Sequence, residues 1–186
     1  MAQPKIFAFA GSARKESLNQ KLLVATVEAL RAAGGEVTLI NLKDYPLPLY
    51  DGDLEDAAGL PENARKLIDL IAGHAGLLIA SPEYNAMITP LLKNTLDWCT
   101  RADDGPFPGR VAAVVSASPG ALGGINSLKL AQQLLLKLGC HVVPGMTILP
   151  QAHKAFEPDG KLSDPRTLKS VEELAARLVE TVKKLG

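Results

Sequence analysis

Apolar residues follow two rhythms along this chain. Short, largely apolar stretches, Ile6 to Ala10, Val37 to Asn41, Leu77 to Ala80 and Val111 to Ser116, are flanked by turn-forming residues, the pattern of strands buried on both faces. Between them, apolar positions recur at helical spacing. Leu18, Leu22, Ala25 and Ala29 share one face, as do Leu67, Leu70 and Ile71 after Pro61, while Leu91, Leu92, Leu96 and Trp98 follow Pro90 as core or subunit contacts. Beyond the fourth run, Ile125, Leu128, Leu135 and Leu138 mark a further helix up to Gly139, and His141 to Val143 starts a fifth strand. Leu168, Val171, Leu174, Leu178 and Val182 predict a closing amphipathic helix, capped by Ser163 or Asp164 with Pro165 at its first position. Doubly buried strands alternating with helices predict an α/β fold of three layers, an open parallel sheet covered on both faces with right-handed crossovers.

Composition acts mainly by exclusion. The 186 residues, 47% hydrophobic and 22% charged, suit one soluble domain over residues 1–186, with no repeat or composition shift to divide it. Twenty basic residues balance twenty acidic ones, so no net field gathers nucleic acid or anionic membrane. No segment has the length and apolarity of a membrane span, and the start of the chain lacks a secretory pattern. Cys99 and Cys140 have neither CxxC nor zinc-ligand spacing, so the expectation is a reducing cytoplasm and no metal. His74, His141 and His153 stand in plain contexts, and no GxSxG nucleophile motif occurs.

In a doubly wound sheet, ligands bind beyond the carboxyl ends of the strands, so the loops after the first, third and fourth strands carry the candidate chemistry. The first, "GSARKESLN", leads from a strand into a helix, where N–H groups and the helix dipole favour an anion. Gly11 gives backbone freedom, Ser12, Ser17 and Asn19 offer hydrogen bonds, and Arg14 can fork onto phosphate oxygens. Without GxxxxGK[ST] or GxGxxG, a single terminal phosphate suits this cup better than a nucleoside triphosphate or a dinucleotide. The alternative is that Ser17 only caps the helix and Arg14 lies in solvent. The second loop carries Pro82, Glu83, Tyr84 and Asn85, whose N–H groups and ring suit a flat heterocycle; Glu83 more readily pairs with an Arg or a backbone donor than acts as an acid or base. The third, "SASPGALGGINS", lets a planar ligand approach backbone at Ser116 and Gly120, or is a plain Gly-rich connection.

Two motifs together carry a resemblance. "GSARKESLNQKL" resembles the GSxRxxSxN phosphate motif, and "PEYNAMITPLLKNTLDW" the PEYN...P..LKN..DW motif, of the NADPH-dependent FMN reductase family, which includes quinone, chromate and azo-compound reductases. The resemblance implies a flavodoxin-like fold with a five-stranded parallel sheet in the order 2-1-3-4-5, bound FMN, and NADPH or NADH as co-substrate. By position it implies that Gly11, Ser12, Arg14, Ser17, Leu18 and Asn19 hold the phosphate end, that Pro82, Glu83, Tyr84 and Asn85 line the ring, and that Ser116 and Gly120 approach it. The flavin, not a side chain, would carry the chemistry, with quinones, azo compounds, chromate or free flavin as small acceptors. A flavodoxin-type electron carrier is the alternative, disfavoured by the absence of net charge to steer protein partners. Leu91 stands where many relatives have glycine after the motif proline. Similar assemblies in the family suggest a homodimer or homotetramer. In "DYPLPLYDGD" several of the side chains of Tyr45, Leu47, Leu49 and Tyr50 are expected to be exposed in a monomer and to meet a partner near the helix from Pro90 to Thr100; the alternative is that they fold back as a self-contained cap over the third predicted helix, the one Pro90 begins.

Overall fold

A computed structural model describes residues 3–103 and 105–185. β1 (Lys5–Ala10) lies in the middle of the sheet and is buried on both sides: Ile6, Ala8 and Ala10 face one helical layer and Phe7 and Phe9 the other. β2 (Glu36–Leu39) and β3 (Gly76–Ala80) flank it, both parallel. β6 (Val111–Ala117) pairs with β3, giving the order β2-β1-β3-β6-β7 that the resemblance implies. The fifth position is split. β7 (His141–Val142) pairs with the start of β6 and β8 (Thr147–Leu149) with its end, because Pro144 and Gly145 interrupt the run; proline has no N–H for the ladder.

One face is covered by α1 (Leu18–Ala32) and α6 (Pro165–Leu185), which also pack on each other; the other by α3 (Glu62–Ala72), α4 (Pro90–Cys99) and α5 (Ile125–Lys137). α6 starts as expected at Pro165, and the cap is Asp164, whose Oδ2 accepts from the Thr167 N–H at 2.8 Å and its hydroxyl at 2.6 Å; the Ser163 hydroxyl donates instead to the Ala155 carbonyl. The seven buried residues of α6 form one stripe, and each large apolar side chain buried there contributes about 1.5–3 kcal/mol.

Three details depart from the sequence expectation. β2 ends at Leu39 rather than Asn41, because Asn41 caps a short 3-10 turn with its side chain. A short helix that no sequence pattern predicted, α2 (Gly52–Ala58), forms after β2, capped by Asp51. Two short antiparallel strands, β4 (Glu83–Tyr84) and β5 (Met87–Ile88), form a hairpin that single-residue patterns did not reveal.

The proline loop is tied to α4 within its own chain. Asn94 Nδ2 and Trp98 Nε1 both donate to the Pro48 carbonyl at 2.8 Å, and Asn94 Oδ1 accepts from the Tyr50 N–H. Tyr50 packs edge-on against Trp98, its hydroxyl donates to Glu55, and Arg101 bridges Glu55 from above the ring. Tyr45, Leu47 and Tyr50 are thus half-buried and Leu49 stands exposed, so the expectation of several exposed apolar groups is corrected in favour of the alternative: the loop caps α4, and Asn63 of α3 also donates to its Pro46 carbonyl. Leu91 packs half-buried in the first turn of α4 against the same core, with Thr89 and Pro90 opening the helix ahead of it. Both cysteines are buried, which pushes the Cys99 thiol up to about 12 and the Cys140 thiol up to about 11.

Candidate functional site

The registers Ala10 to Ala80 and Ala80 to Val115 bring the ends of β1, β3 and β6 to one edge of the sheet. The loops that leave them are joined by direct hydrogen bonds. The Gly11 N–H donates to the Ala80 carbonyl, the Ser81 N–H to Val115, and the Ser116 hydroxyl to the Ser81 carbonyl. A loop-to-loop scaffold therefore exists before any ligand is considered.

In the first loop, Ser12 and Ser17 are buried while Arg14 is exposed. Ser17 caps α1, its Oγ accepting from the Gln20 N–H at 3.3 Å. Among the described residues, the Arg14 guanidinium has no ion pair or hydrogen bond, and the N–H groups of Ser12, Ala13, Lys15 and Glu16 have no partner within the chain. Orphan amides at the positive end of a fifteen-residue helix, with a free guanidinium beside them, are a donor set for an anion. Gly11 is required for space rather than for backbone freedom: a Cβ there would lie 2.7 Å from Leu92 Cβ and 3.1 Å from Thr89 Oγ1. Leu18 is half-buried at the first helical position. Asn19 turns inward, its Nδ2 donating to the Ala117 carbonyl at 2.7 Å and its Oδ1 accepting from the Ala117 N–H at 3.0 Å. Its amide clamps α1 to the end of β6, leaving one N–H of the side chain uncommitted.

The second loop is the hairpin. Asn85 and Ala86 both have positive φ, 51° and 63°, the requirement of a two-residue primed turn that matches strand twist. Asparagine tolerates that geometry; alanine is strained in it. Pro82 is buried, whereas Tyr84 and Asn85 are exposed at the edge. Glu83 behaves as the sequence reading preferred, pairing with backbone donors: its Oε2 accepts from the N–H groups of Asn126 and Ser127 at 2.9 and 3.0 Å, and its Oε1 from Asn126 Nδ2. The N-terminus of α5 is thereby occupied by a carboxylate of the same chain, whereas that of α1 carries only the neutral Ser17 hydroxyl. This contrast selects the first loop over the fourth as the anion site.

In the fourth loop Ser116 is fully buried and spends its proton on Ser81, while Gly120 is exposed, donating to Ser118 Oγ and accepting from the Gln151 N–H. Gly124 has φ +81°, and a Cβ there would lie 2.1 Å from Ser116 Oγ. The sequence reading missed Ser127, which donates to the Pro82 carbonyl and takes the Ser81 hydroxyl proton, and Thr89, whose hydroxyl donates to the Gly11 carbonyl. The Thr-Pro pair was a legible helix-start signal. His74 is satisfied by the Leu70 carbonyl and Thr38, and no group of three metal-ligating side chains occurs among the described residues. A cleft of about 640 Å³ lies elsewhere, between β8, the turn after it and the start of α6. It contains none of the motif residues, so motif geometry rather than cavity size locates the site.

The sequence pattern described as NADPH-dependent FMN reductase matches residues 4–154. The chain belongs to that family. It is 29% identical over 182 residues to an NAD(P)H-dependent FMN reductase of Pseudomonas aeruginosa, covering 97% of this chain and 96% of that one. It is 36% identical over 157 residues to a quinone reductase of Pseudomonas putida, covering 83% and 82%. A solved flavoenzyme NAD(P)H:(acceptor) oxidoreductase from Paracoccus denitrificans superposes with a TM-score of 0.84 at 30% identity, over 98% of this chain and 99% of that one. A flavodoxin from the domain Archaea, at 11% identity and TM-score 0.63, shares the fold. This FMN reductase-family chain is thus an oxidoreductase with a flavodoxin-like fold, FMN as cofactor and NAD(P)H as co-substrate. Among its described residues no helix is long and apolar enough to cross a membrane.

Proposed function

We propose that the protein passes reducing equivalents from NADPH or NADH to quinones and similar small acceptors, including azo compounds, chromate and free flavin, over one flavin-binding edge. The observation that carries this reading is the loop leading into α1, with the unpartnered amides of Ser12, Ala13, Lys15 and Glu16 and a free Arg14, beside a hairpin bolted to α5. In this reading the amides of Ser12 to Glu16, the Ser12 and Ser17 hydroxyls and Arg14 hold the FMN phosphate, with Gly11 and Leu18 shaping the cup. Asn19 contributes by fixing α1 against β6. Pro82, Glu83, Tyr84 and Asn85 set the ring edge, Glu83 through its grip on α5, and Gly120 and the backbone around Ser116 close the other side. Bound FMN supplies the hydride acceptor and donor that no side chain of this site offers. The chain's own residues position it and leave one face open for nicotinamide and acceptor in turn.

The reading extends to a homodimer or homotetramer in which a partner covers part of this edge, supported by Tyr84, Met87 and Leu122 standing exposed there. The test of function is kinetic. Anaerobic NADPH or NADH should bleach the flavin, a quinone should restore its colour, and steady-state double-reciprocal plots should be parallel. Intersecting lines would place the two substrates in separate sites and overturn the shared-face reading.

A further inference from the structure

The phosphate loop and the ring hairpin meet at one hydroxyl. Thr89 directly follows β5, is 2% exposed and caps α4, accepting from the Leu92 N–H at 3.2 Å. Its single proton goes across the site to the Gly11 carbonyl at 2.7 Å. The Gly11 N–H is held on the other side by the Ala80 carbonyl at 2.9 Å. Gly11 is thus gripped at both its polar atoms, and the space for a Cβ is filled by Thr89 and Leu92.

The consequence lies in the next peptide. A trans peptide is planar, so its carbonyl and its N–H point in opposite directions. Drawing the Gly11 carbonyl toward Thr89 turns the Ser12 N–H away from α4, and that N–H has no partner among the described residues. We propose that Thr89 is a positioning residue that fixes the Gly11–Ser12 peptide so that the Ser12 N–H is presented to the phosphate of FMN. The inference rests on the phosphate reading of the first loop. It also makes the two ends of the cofactor site interdependent, because the same threonine terminates the ring hairpin.

The experiment compares FMN with riboflavin, which has the same ring and no phosphate, in titrations of apo-protein. Thr89→Val keeps the shape and removes the hydroxyl; Thr89→Ser keeps the hydroxyl. FMN affinity of Thr89→Val should fall about tenfold, the scale of one lost charge-assisted hydrogen bond, while riboflavin affinity stays at the parent value and Thr89→Ser binds both like the parent. A general weakening of the fold would lower both affinities together, and that outcome overturns the proposal, as does parent-like FMN binding by Thr89→Val. Arg14→Ala, measured alongside, separates the two levels. If it loses the preference for FMN over riboflavin and Thr89→Val does not, the positioning role alone is wrong. If neither loses it, the phosphate reading fails and the proposal with it.

Discussion

At the scale of single residues, the site separates groups that hold the protein together from groups free to meet a ligand. Arg14 is exposed and unpartnered, whereas Ser17 already spends an acceptor on the Gln20 N–H. Arg14→Ala should therefore weaken FMN binding by about 1.5–3 kcal/mol and Ser17→Ala by about 0.5–1.5, with the serine change also lowering helix stability by about 1 kcal/mol through the lost cap. Apo-protein titration and urea unfolding check the pair. Ala86 sits at φ 63°, where a Cβ is strained and glycine is not, so Ala86→Gly should raise stability by about 0.5 kcal/mol once the greater freedom of unfolded glycine is set against the relief. A lowered unfolding midpoint would contradict it. Which motif residues occur was legible in the sequence; which way each side chain turns was not. Asn19 and Ser116 read as ligand contacts, yet both turn inward to backbone carbonyls on neighbouring elements, a choice set by strand register that no local pattern encodes.

At the scale of elements, the strands and helices that cross the core were legible because doubly buried runs and helical stripes have distinct periods. The pieces that were not legible are too short to have a period. β7 and β8 share one edge position around Pro144 and Gly145, β4 and β5 have two residues each, and α2 has seven. Tertiary ties decide these: Asn94 and Trp98 of α4 anchor Pro48, and Glu83 anchors the hairpin to α5. The cap of α6 gives a prediction in pH. Hydrogen bonds from Thr167 hold the Asp164 carboxyl below its usual value of 3.8. A carboxylate lowered in the folded state contributes stability that is present above its unfolded value and lost as pH falls through the folded one. Asp164→Ala should accordingly cost about 1 kcal/mol at neutral pH, and the difference from the parent should shrink below pH 4. Paired thermal melts at the two conditions read this directly, and a difference independent of pH would show that the carboxylate charge is not involved.

For the whole molecule, the tie between the proline loop and α4 means that assembly cannot rely on Tyr50, which is committed within its own chain. Leu49 is 79% exposed on that loop and Met87 56% exposed on the hairpin, so both are free to meet a second copy. Light scattering at micromolar concentration should report a dimer or tetramer for the parent and a smaller species for Leu49→Asp combined with Met87→Asp; a monomeric parent would remove the proposed assembly. The placement of the two cysteines bears on chemical durability. Quinones, the acceptor class proposed above, are electrophiles to which thiolates add through a new C–S bond, and reactivity follows the thiolate fraction. With Cys99 held near 12 and Cys140 near 11, burial leaves this chain almost no thiolate at neutral pH. Repeated turnover with a quinone should leave both thiols unmodified by mass spectrometry, while the same quinone should label them once the chain is unfolded. The protein can then handle a reagent that poisons exposed thiols and remain, in its own covalent structure, untouched by it.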